Sequence, residues 1–336
     1  MSPDAPPELL AAQDVSVTFG SGRRRLHAVD GISLSLSRGQ TLAVVGESGS
    51  GKSTLAFALM RARRPDSGRI LFEGADITRA RGGSLRSFRR RVQMVFQDPY
   101  SSLDPRMSVE RIIAEPLRAH GVGSKEQIRE RVRQLLTLVG LGPEVRMRRP
   151  SQFSGGQRQR IAIARAMALD PDVLIADEPV SALDVSIQAQ IVNLLGELRR
   201  ERGIASLIIS HDMALVYHLA DRVAVMYLGR VVEEADCDDL VSSPQHPYTA
   251  ALLSATPTLG EGSRRERIIL HGSPPSALDR PTGCSFHPRC PIAVDRCRVE
   301  TPPLAELGDG RKVACFFPGK LPGPQLIEHT TLRSSP

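Results

Sequence analysis

A glycine- and serine-rich segment around Lys52 has the composition and spacing of a phosphate-binding loop. It runs Gly46-Glu-Ser-Gly-Ser-Gly51-Lys52-Ser53 and fits the pattern G-x-x-x-x-G-K-[ST]. The glycines of such a loop let backbone N–H groups curl around phosphate oxygens, and the following helix N-terminus adds partial positive charge. We expect Lys52 to reach the β- and γ-phosphates of a nucleotide and Ser53 to ligate Mg²⁺. The predicted nucleotide-binding residues here are Gly46, Glu47, Ser48, Gly49, Ser50, Gly51, Lys52, Ser53 and Thr54.

Two adjacent carboxylates follow an apolar run that is typical of a buried strand. Residues 173–176 end at Asp177 and Glu178. Beside a phosphate-binding loop, Asp177 would hold Mg²⁺ through water and Glu178 would polarise the attacking water. Carboxylates at a strand end are also common as plain surface residues, but their combination with the loop favours nucleotide hydrolysis.

A second short segment has a composition that suits an anion site. Ser154, Gly155, Gly156 and Gln157 lie where a helix is predicted to begin, so backbone N–H groups and the helix N-terminus would attract negative charge. A single phosphate-binding domain has no obvious need for two such sites.

Residues 153–160 closely resemble the LSGGQ signature of ABC ATPases, with Phe153 in the place of the leading Leu. In that family the signature contacts ATP held by the phosphate-binding loop of a partner subunit. The resemblance therefore implies a dimer of ATPase subunits closed around two nucleotides. It also implies ATP and Mg²⁺ as cofactors.

Two single residues fall in the order that this family shows. Gln97 matches the Q-loop residue that contacts Mg²⁺ and the attacking water, and His211 matches the switch histidine near the γ-phosphate. Taken alone, each would more often be a surface or structural residue. With Glu178 and Lys52 they form the predicted catalytic set, and residues 181–184 match the D-loop.

Phe19 lies upstream of the phosphate-binding loop, where the family places an aromatic residue that stacks on adenine. An aromatic face suits such stacking, because it offers a large rigid contact area. The alternative is a strand residue packed in the core, and the sequence leaves both interpretations open.

The resemblance extends to the oligopeptide and dipeptide importers within the ABC family. Residues 95–107 are similar to the Q-loop region of those ATPases, and His246-Pro-Tyr-Thr249 is similar to a marker of their C-terminal extension. The likeness covers residues 12–318 and implies transport-coupled ATP hydrolysis for peptide uptake. Nickel and glutathione importers share the extension, and a non-transport ABC protein acting on ribosomes or DNA is a further alternative.

The same resemblance implies the partners and the location of the chain. We expect a second, non-identical ABC ATPase subunit, two transmembrane permease subunits and an extracytoplasmic solute-binding protein. The chain would lie peripherally on the cytoplasmic face of the membrane, because the sequence shows neither a signal peptide nor an apolar run of membrane-spanning length.

Four of the five cysteines lie close together near the C-terminus, at Cys284, Cys290, Cys297 and Cys315. Their spacing lacks the C-x-x-C pair that is typical of structural zinc sites. Four thiolates could still converge on a [4Fe–4S] cluster. Related peptide-importer ATPases carry such a cluster on similarly placed cysteines, so we predict one here, with zinc or unligated thiols as alternatives.

The hydrophobic patterns indicate the elements that position these residues. Apolar alternation over residues 15–36 predicts antiparallel strands, while continuous apolar runs such as Thr41–Val45 predict buried strands. Helical spacing over residues 128–139 and 187–198 predicts amphipathic helices. The predicted fold is therefore α/β: a P-loop ABC ATPase domain with a mainly parallel sheet core, an antiparallel β subdomain and a helical insert.

The predicted organisation has three parts. Residues 1–11 would be a flexible lead-in and residues 12–236 the ATPase domain, with a helical subdomain at about 100–160. Residues 237–336 would form a small cysteine-containing extension of the oligopeptide-importer type, where proline and glycine become more frequent. The net charge of +7 comes from arginines scattered through polar stretches, which we interpret as solvated faces without a nucleic-acid partner.

Overall fold

The computed structural model describes residues 8–20, 25–181, 183–256, 268–270, 272–308 and 310–321. Most of the predicted lead-in, including residues 1–7, lies outside these ranges, as do Ala182 of the D-loop segment and residues 322–336.

A small antiparallel sheet has the strand order β2-β1-β4-β5 within the described residues. Its first strand begins four residues before the predicted start of the ATPase domain, so assigning residues 8–11 to a flexible lead-in was wrong. The reason is burial: Leu9, Leu10 and Ala11 are at most 4% exposed, and Leu10 pairs with Phe72 of β4. The strands are β1 (Glu8–Phe19), β2 (Leu26–Ser37), β4 (Ser67–Phe72) and β5 (Ala75–Asp76).

The larger sheet has the order β11-β12-β10-β9-β3-β8-β7-β6 in the part of the chain that is described. The five strands β9, β3, β8, β7 and β6 are parallel to one another. The pairings of β10 with β9 and β12, and of β11 with β12, are antiparallel. Every residue of β3, β7 and β8 is buried, as continuous apolar runs predict. The strands are β3 (Thr41–Val45), β6 (Val92–Val95), β7 (Val173–Asp177), β8 (Ala205–Ser210), β9 (Arg222–Tyr227), β10 (Arg230–Asp236), β11 (Ala305–Glu306) and β12 (Lys312–Val313).

Helices cover the large sheet and form the insert between β6 and β7. The insert contains α3 (Pro99–Ser102), α4 (Val109–His120), α5 (Lys125–Leu138) and α6 (Gly155–Ala166), with 3-10 turns at Pro143–Met147, Pro150–Gln152 and Met167–Leu169. A capping box at Ser124 starts α5. The other helices are α1 (Lys52–Leu59), α2 (Gly82–Arg91), α7 (Val185–Arg202), α8 (Met213–Leu219), α9 (Cys237–Ser242), α10 (Pro247–Ser254) and α11 (Asp295–Val299), with a 3-10 turn at His287–Arg289.

The central strands separate two hydrophobic cores. Leu42 and Val44 of β3 pack with the small antiparallel sheet and α1, whereas Ala43 and Val45 pack with the helices of the opposite face. This alternation follows from the two-residue period of a strand. The architecture thus confirms the predicted fold class, with a mainly parallel sheet held between an antiparallel subdomain and a helical layer.

The C-terminal extension joins the large sheet directly. Strand β12 pairs with β10 at Glu233 and Val313, and the Ala314 N–H donates to the Val232 carbonyl at 2.8 Å. The extension is therefore continuous with the ATPase sheet through backbone hydrogen bonds. Among the residues described, no helix combines the length and the apolar character needed to cross a bilayer.

Candidate nucleotide site

The carboxyl ends of the parallel strands meet at one edge of the large sheet, and they bring the predicted site residues together. Val45 lies opposite Ser210 in the β3–β8 register, and Asp177 lies opposite Ile209 in the β7–β8 register. The phosphate-binding loop follows β3, and His211 follows β8. Ligands of open α/β sheets bind at this edge, so the arrangement suits a nucleotide.

The loop from Gly46 to Gly51 curls tightly against the strand behind it. Gly46 has φ +152°, and a Cβ there would lie 2.2 Å from the Met226 carbonyl oxygen. Gly51 has φ +104°, and its Cβ would lie 1.9 Å from the Ala28 carbonyl oxygen. These positions exclude any side chain, because the neighbouring atoms belong to the backbone. The glycines therefore allow the close chain approach that leaves backbone N–H groups free for phosphate.

Lys52 opens α1 and is directed back into the loop. Its ammonium donates to the Gly46 carbonyl at 2.7 Å and to the Glu47 carbonyl at 2.8 Å. The residue is only 5% exposed. Burial lowers the pKa of Lys52, and the charges of Glu178, Asp177 and Glu47 oppose that change. A cation is thus held at the centre of an otherwise acidic site.

The remaining loop residues differ in their exposure. Ser48 and Gly49 lie exposed at the outer bend, whereas Ser50 is buried and Thr54 is half-buried in α1. The Ser50 carbonyl accepts a hydrogen bond from the Gly229 N–H at 2.8 Å, which fastens the loop to the turn after β9.

Ser53 and Asp177 meet although they lie 124 positions apart. The Ser53 hydroxyl donates to the Asp177 carboxylate at 3.1 Å. Burial raises the pKa of Asp177, and the hydrogen bond from Ser53 opposes that change. Both side chains offer hard oxygen ligands, which are the ligands that Mg²⁺ prefers.

Glu178 is the point where the predicted catalytic residues converge. The Gln97 amide nitrogen donates to one carboxylate oxygen at 2.9 Å, and His211 Nδ1 lies 3.2 Å from the other. The backbone of Glu178 has φ +45°, which is uncommon for a non-glycine residue and is held by its N–H bond to the Ile209 carbonyl. The Glu178 side chain is 16% exposed and the His211 side chain 59%, so the carboxylate faces an opening to solvent.

The signature segment forms no hydrogen bond with the phosphate-binding loop among the described residues. Ser154 and Gln157 instead bond to each other's backbone in a capping box that starts α6. A Cβ on Gly156 would lie 2.3 Å from Ile187 Cγ2, so α6 packs closely on the beginning of α7. Ser154 is exposed and Gly155 is half-buried, so the start of α6 faces solvent, and its role as an anion site stays a prediction.

Phe19 lies at the end of β1 and is 38% exposed, which argues against the alternative of a core residue. The Arg63 guanidinium lies over its ring at 3.7 Å from the centroid. One ring face is therefore covered by a cation, and adenine stacking on Phe19 stays a prediction.

Two residues of the extension contact the phosphate-binding loop, and sequence reasoning missed both. The Glu47 N–H donates to the Tyr248 hydroxyl at 2.8 Å. Arg289 donates to both carboxylate oxygens of Glu47, at 2.8 and 3.0 Å. Sequence analysis singled out Tyr248 only as part of a segment that resembles a family marker. Tyr248 lies 201 positions and Arg289 lies 242 positions from Glu47, and no local sequence pattern indicates so distant a partner.

The four C-terminal cysteines line one small pocket together with aromatic residues of the extension. Burial, together with the neighbouring cysteines, raises the pKa of the Cys290 thiol to about 12. The Phe317 N–H donates to the Cys315 sulfur at 3.4 Å. Within the described ranges, however, no group of three or more His, Cys, Asp and Glu side chains is placed to hold a metal ion. The predicted iron–sulfur cluster therefore stays a prediction.

Comparison with protein families identifies two matching regions. Residues 29–181 match the family profile described as "ABC transporter". Residues 232–297 match the profile described as "Oligopeptide/dipeptide transporter, C-terminal region". The second region includes most of β10, all of α10 and three of the four pocket cysteines, and both matches agree with the sequence resemblance.

Similar proteins match this chain over most of their length. A probable peptide ABC transporter ATP-binding protein of Sinorhizobium fredii is 56% identical over 86% of this chain and 82% of its own. The di/tripeptide transport ATP-binding protein DppF of Pseudomonas aeruginosa is 50% identical over 92% of this chain and 95% of its own. Oligopeptide transport ATP-binding protein AppF of Bacillus subtilis is 50% identical over 86% of this chain and 89% of its own.

Solved structures with the same fold cover the ATPase part of the chain. The dimeric, post-hydrolysis structure of the ATP-binding cassette MJ0796 with ADP and Pi is 28% identical, with a TM-score of 0.63. It is matched over 68% of this chain and 99% of its own length. The structure of cbiO1 from Clostridium perfringens is 31% identical over 70% of this chain and 91% of its own, also with a TM-score of 0.63.

Proposed function

This chain belongs to the family of ABC transporter ATP-binding proteins, and we propose that it hydrolyses ATP to drive uptake of di- and oligopeptides across the cytoplasmic membrane. The observation that carries the proposal is the Glu178 carboxylate, held between Gln97 and His211 beside Lys52 and Asp177. The peptide assignment is supported by relatives named as peptide transport proteins and by the match of the extension.

In the proposed mechanism the loop N–H groups and Lys52 bind the phosphates of ATP. Ser53, Asp177 and Gln97 would hold Mg²⁺, which would offset phosphate charge when bound. Glu178 accepts a proton from the attacking water, because its carboxylate is fixed on both sides and open to solvent. His211 steadies the γ-phosphate from the neighbouring strand end. Phe19 would stack on adenine from the exposed end of β1.

The outward-facing signature supports a site completed by a second subunit. Ser154, Gly155, Gly156 and Gln157 would cap the ATP held by the partner ATPase, and the partner's signature would cap the ATP of this chain. The dimeric state of the related cassette with ADP and Pi supports this arrangement. Closure and reopening of the pair would move the permeases through the Q-loop region around Gln97.

The assembly that we propose has four further subunits. These are a second, non-identical ATPase, two transmembrane permeases and an extracytoplasmic solute-binding protein, with this chain peripheral on the cytoplasmic face of the membrane. Support comes from relatives named as transport ATP-binding proteins. Nickel or glutathione as the solute and a ribosome- or DNA-directed activity are the alternatives that an experiment must separate.

The test is solute uptake by cells that carry either the intact protein or Lys52→Ala in place of the chromosomal copy. The panel contains dipeptides, oligopeptides, nickel and glutathione. We expect peptide uptake to be lost in Lys52→Ala while the other solutes enter normally. Loss of nickel or glutathione uptake alone would reassign the solute, and uptake that never depends on Lys52 would contradict an importer role.

We further propose that Cys284, Cys290, Cys297 and Cys315 bind a [4Fe–4S] cluster. The donor chemistry suits the group, because four thiols line one pocket and backbone N–H groups bond to its sulfurs, as at Cys315. Ligation would require the thiols to draw together from their present positions. The chain's own contribution would be to exclude water with Phe286, Phe316 and Phe317.

Iron and sulfide analysis of anaerobically purified protein tests this second proposal. We expect about four iron and four sulfide per chain, as a [4Fe–4S] cluster contains, and loss of both in Cys290→Ser. Cys237→Ser is the matched control, because Cys237 is a buried cysteine outside the pocket. Zinc without sulfide, or neither metal, would contradict the cluster and leave zinc binding or unligated thiols.

A further inference from the structure

The phosphate-binding loop is held on its outer side by the C-terminal extension. Two contacts converge on Glu47, the second residue of the loop. Its N–H donates to the Tyr248 hydroxyl at 2.8 Å, and its carboxylate accepts two hydrogen bonds from Arg289, at 2.8 and 3.0 Å. The extension thus contacts both the backbone and the side chain of one loop residue.

Burial distinguishes these contacts from surface ion pairs. Tyr248 is fully buried, the Arg289 side chain is 8% exposed and the Glu47 side chain is 27% exposed. A two-point arginine–carboxylate pair of this kind fixes orientation as well as distance. Exposed single-point pairs contribute little, because solvent screens them and the side chains lose freedom. The Glu47–Arg289 pair is therefore suited to hold the loop in one geometry.

An aromatic cluster connects these contacts to the sheet and to the cysteine pocket. The rings of Tyr227 and Tyr248 lie 4.7 Å apart, and Phe286 lies 5.3 and 5.4 Å from them. Tyr227 ends β9, which packs behind the loop. Arg289 follows Phe286 closely and donates its N–H to the Phe286 carbonyl at 3.0 Å. Packed secondary-structure elements therefore hold Tyr248 and Arg289 in position.

The contacts have a direct consequence for phosphate binding. The backbone of Glu47 is held on both sides, because its N–H donates to the Tyr248 hydroxyl and its carbonyl accepts from the Lys52 ammonium, each at 2.8 Å. The Glu47 carboxylate also adds negative charge beside a loop that must bind an anion. Arg289 offsets that charge at hydrogen-bond distance, which removes a repulsion that would weaken phosphate binding.

We propose that Tyr248 and Arg289 are positioning residues of the nucleotide site, through which the C-terminal extension sets the affinity of the phosphate-binding loop for ATP. They act through Glu47 and do not touch the phosphates themselves. The proposal goes beyond the transport function and depends only on ATP being the ligand of the loop.

Calorimetric titration of the purified full-length chain with Mg-ATP tests the proposal. Tyr248→Phe removes one hydroxyl and keeps the ring, so the fold is retained. Arg289→Met keeps much of the side-chain volume and removes the charge. We expect the Kd for ATP to rise about three- to tenfold in each variant, as loss of one or two buried hydrogen bonds predicts. The thermal unfolding midpoint of Tyr248→Phe should stay close to that of the wild type.

The matched control is Lys312→Met. Lys312 of β12 also joins the extension to the ATPase sheet, through Glu234 of β10, and no contact of the described residues links it to Glu47 or to the turn after β9. We expect its Kd for ATP to equal that of the wild type. An equal rise in Lys312→Met would mean that any loosening of the extension has the same effect, and it would overturn the positioning role.

A double-variant comparison isolates the charge contact. Glu47→Gln removes the carboxylate charge, so adding Arg289→Met should raise the Kd by much less than it does in the wild type. If Glu47→Gln and Arg289→Met raised the Kd independently, so that their fold-changes multiplied in the double variant, the proposal would be overturned. An unchanged Kd in both Tyr248→Phe and Arg289→Met would also overturn it. Since titration needs neither peptide nor permease, a failure of the transport function would not affect this test.

Discussion

The phosphate-binding loop and the signature segment are both helix starts rich in glycine, yet they stand in opposite situations. Around the loop, Lys52 and Ser53 of α1 lie beside Asp177 and Glu178 at the end of β7, and each side chain has a hydrogen-bond partner within the chain. At the signature, the Ser154 and Gln157 side chains satisfy only each other's backbone and the segment faces outward. One region is a nearly complete site, whereas the other is an exposed helix start.

This contrast bears on where a second subunit would act. In the proposed function, a single chain would bind phosphate with its loop and hold the base for water attack, and the start of α6 would meet the ATP of a partner. Substitutions around the loop should impair ATP hydrolysis directly. Substitutions at the signature should impair only the hydrolysis that needs a partner subunit.

The largest effect is expected from Glu178→Gln. The amide keeps the size of the side chain and its contacts to Gln97 and His211, but it cannot take a proton from water. We expect turnover to fall about 100- to 10,000-fold, the range typical of losing a positioned general base. Binding of ATP should persist, since Lys52 and the loop are unchanged. Steady-state hydrolysis and equilibrium binding measure the two quantities, and retained turnover would remove Glu178 from its role.

A smaller loss of turnover is expected from Gly155→Asp in the assembled complex. The new carboxylate would stand at the start of α6, where the partner's phosphate is expected, and like charges repel. We expect hydrolysis to fall about 100-fold, as when an oriented donor group is lost.

Gly83→Asp is the control for that variant. Gly83 lies in the first turn of α2, and a Cβ there meets nothing within 4 Å. Its hydrolysis should match that of the wild type. Equal losses in Gly83→Asp and Gly155→Asp would contradict a specific role for the signature.

The smallest effects are expected at two helix caps of the same kind. Ser124 and Ser154 both start a helix with a capping box that is closed by a Gln three residues later. Alanine at either position should lower the free energy of unfolding by about 1 kcal/mol. Only Ser154→Ala should also lower turnover, by about tenfold, because its hydroxyl faces the proposed partner nucleotide. Thermal unfolding and hydrolysis rates are the measurements, and equal turnover in both variants would contradict the account.

The sequence predicted the parts of the site that depend on local pattern. The loop needs glycines at fixed spacing, and Asp177 and Glu178 need only the end of a buried strand. The order of the motifs along the chain predicted that Gln97 and His211 belong to the same site. The register of the parallel strands places both at the same edge of the sheet. The buried runs of β3, β7 and β8 were predictable for the same reason, because continuous apolar sequence has few other places in a fold.

The features that sequence reasoning missed are long-range. Residues 8–11 pair with strands that are distant in sequence, so a proline-rich start concealed a buried strand. Arg289 and Tyr248 contact Glu47 across more than 200 positions, and an arginine between cysteines carries no local sign of its partner. Nor did the composition change near residue 236 indicate that β12 would pair with β10 in the ATPase sheet.

The central claim is that hydrolysis at Glu178 is coupled to movement of peptide. The most direct measurement places the complete transporter in proteoliposomes and follows ATP hydrolysed and peptide imported in the same sample. We predict that peptide with its binding protein accelerates hydrolysis, and that Glu178→Gln stops hydrolysis and import together. Hydrolysis that ignores peptide, or import that continues in Glu178→Gln, would contradict the claim.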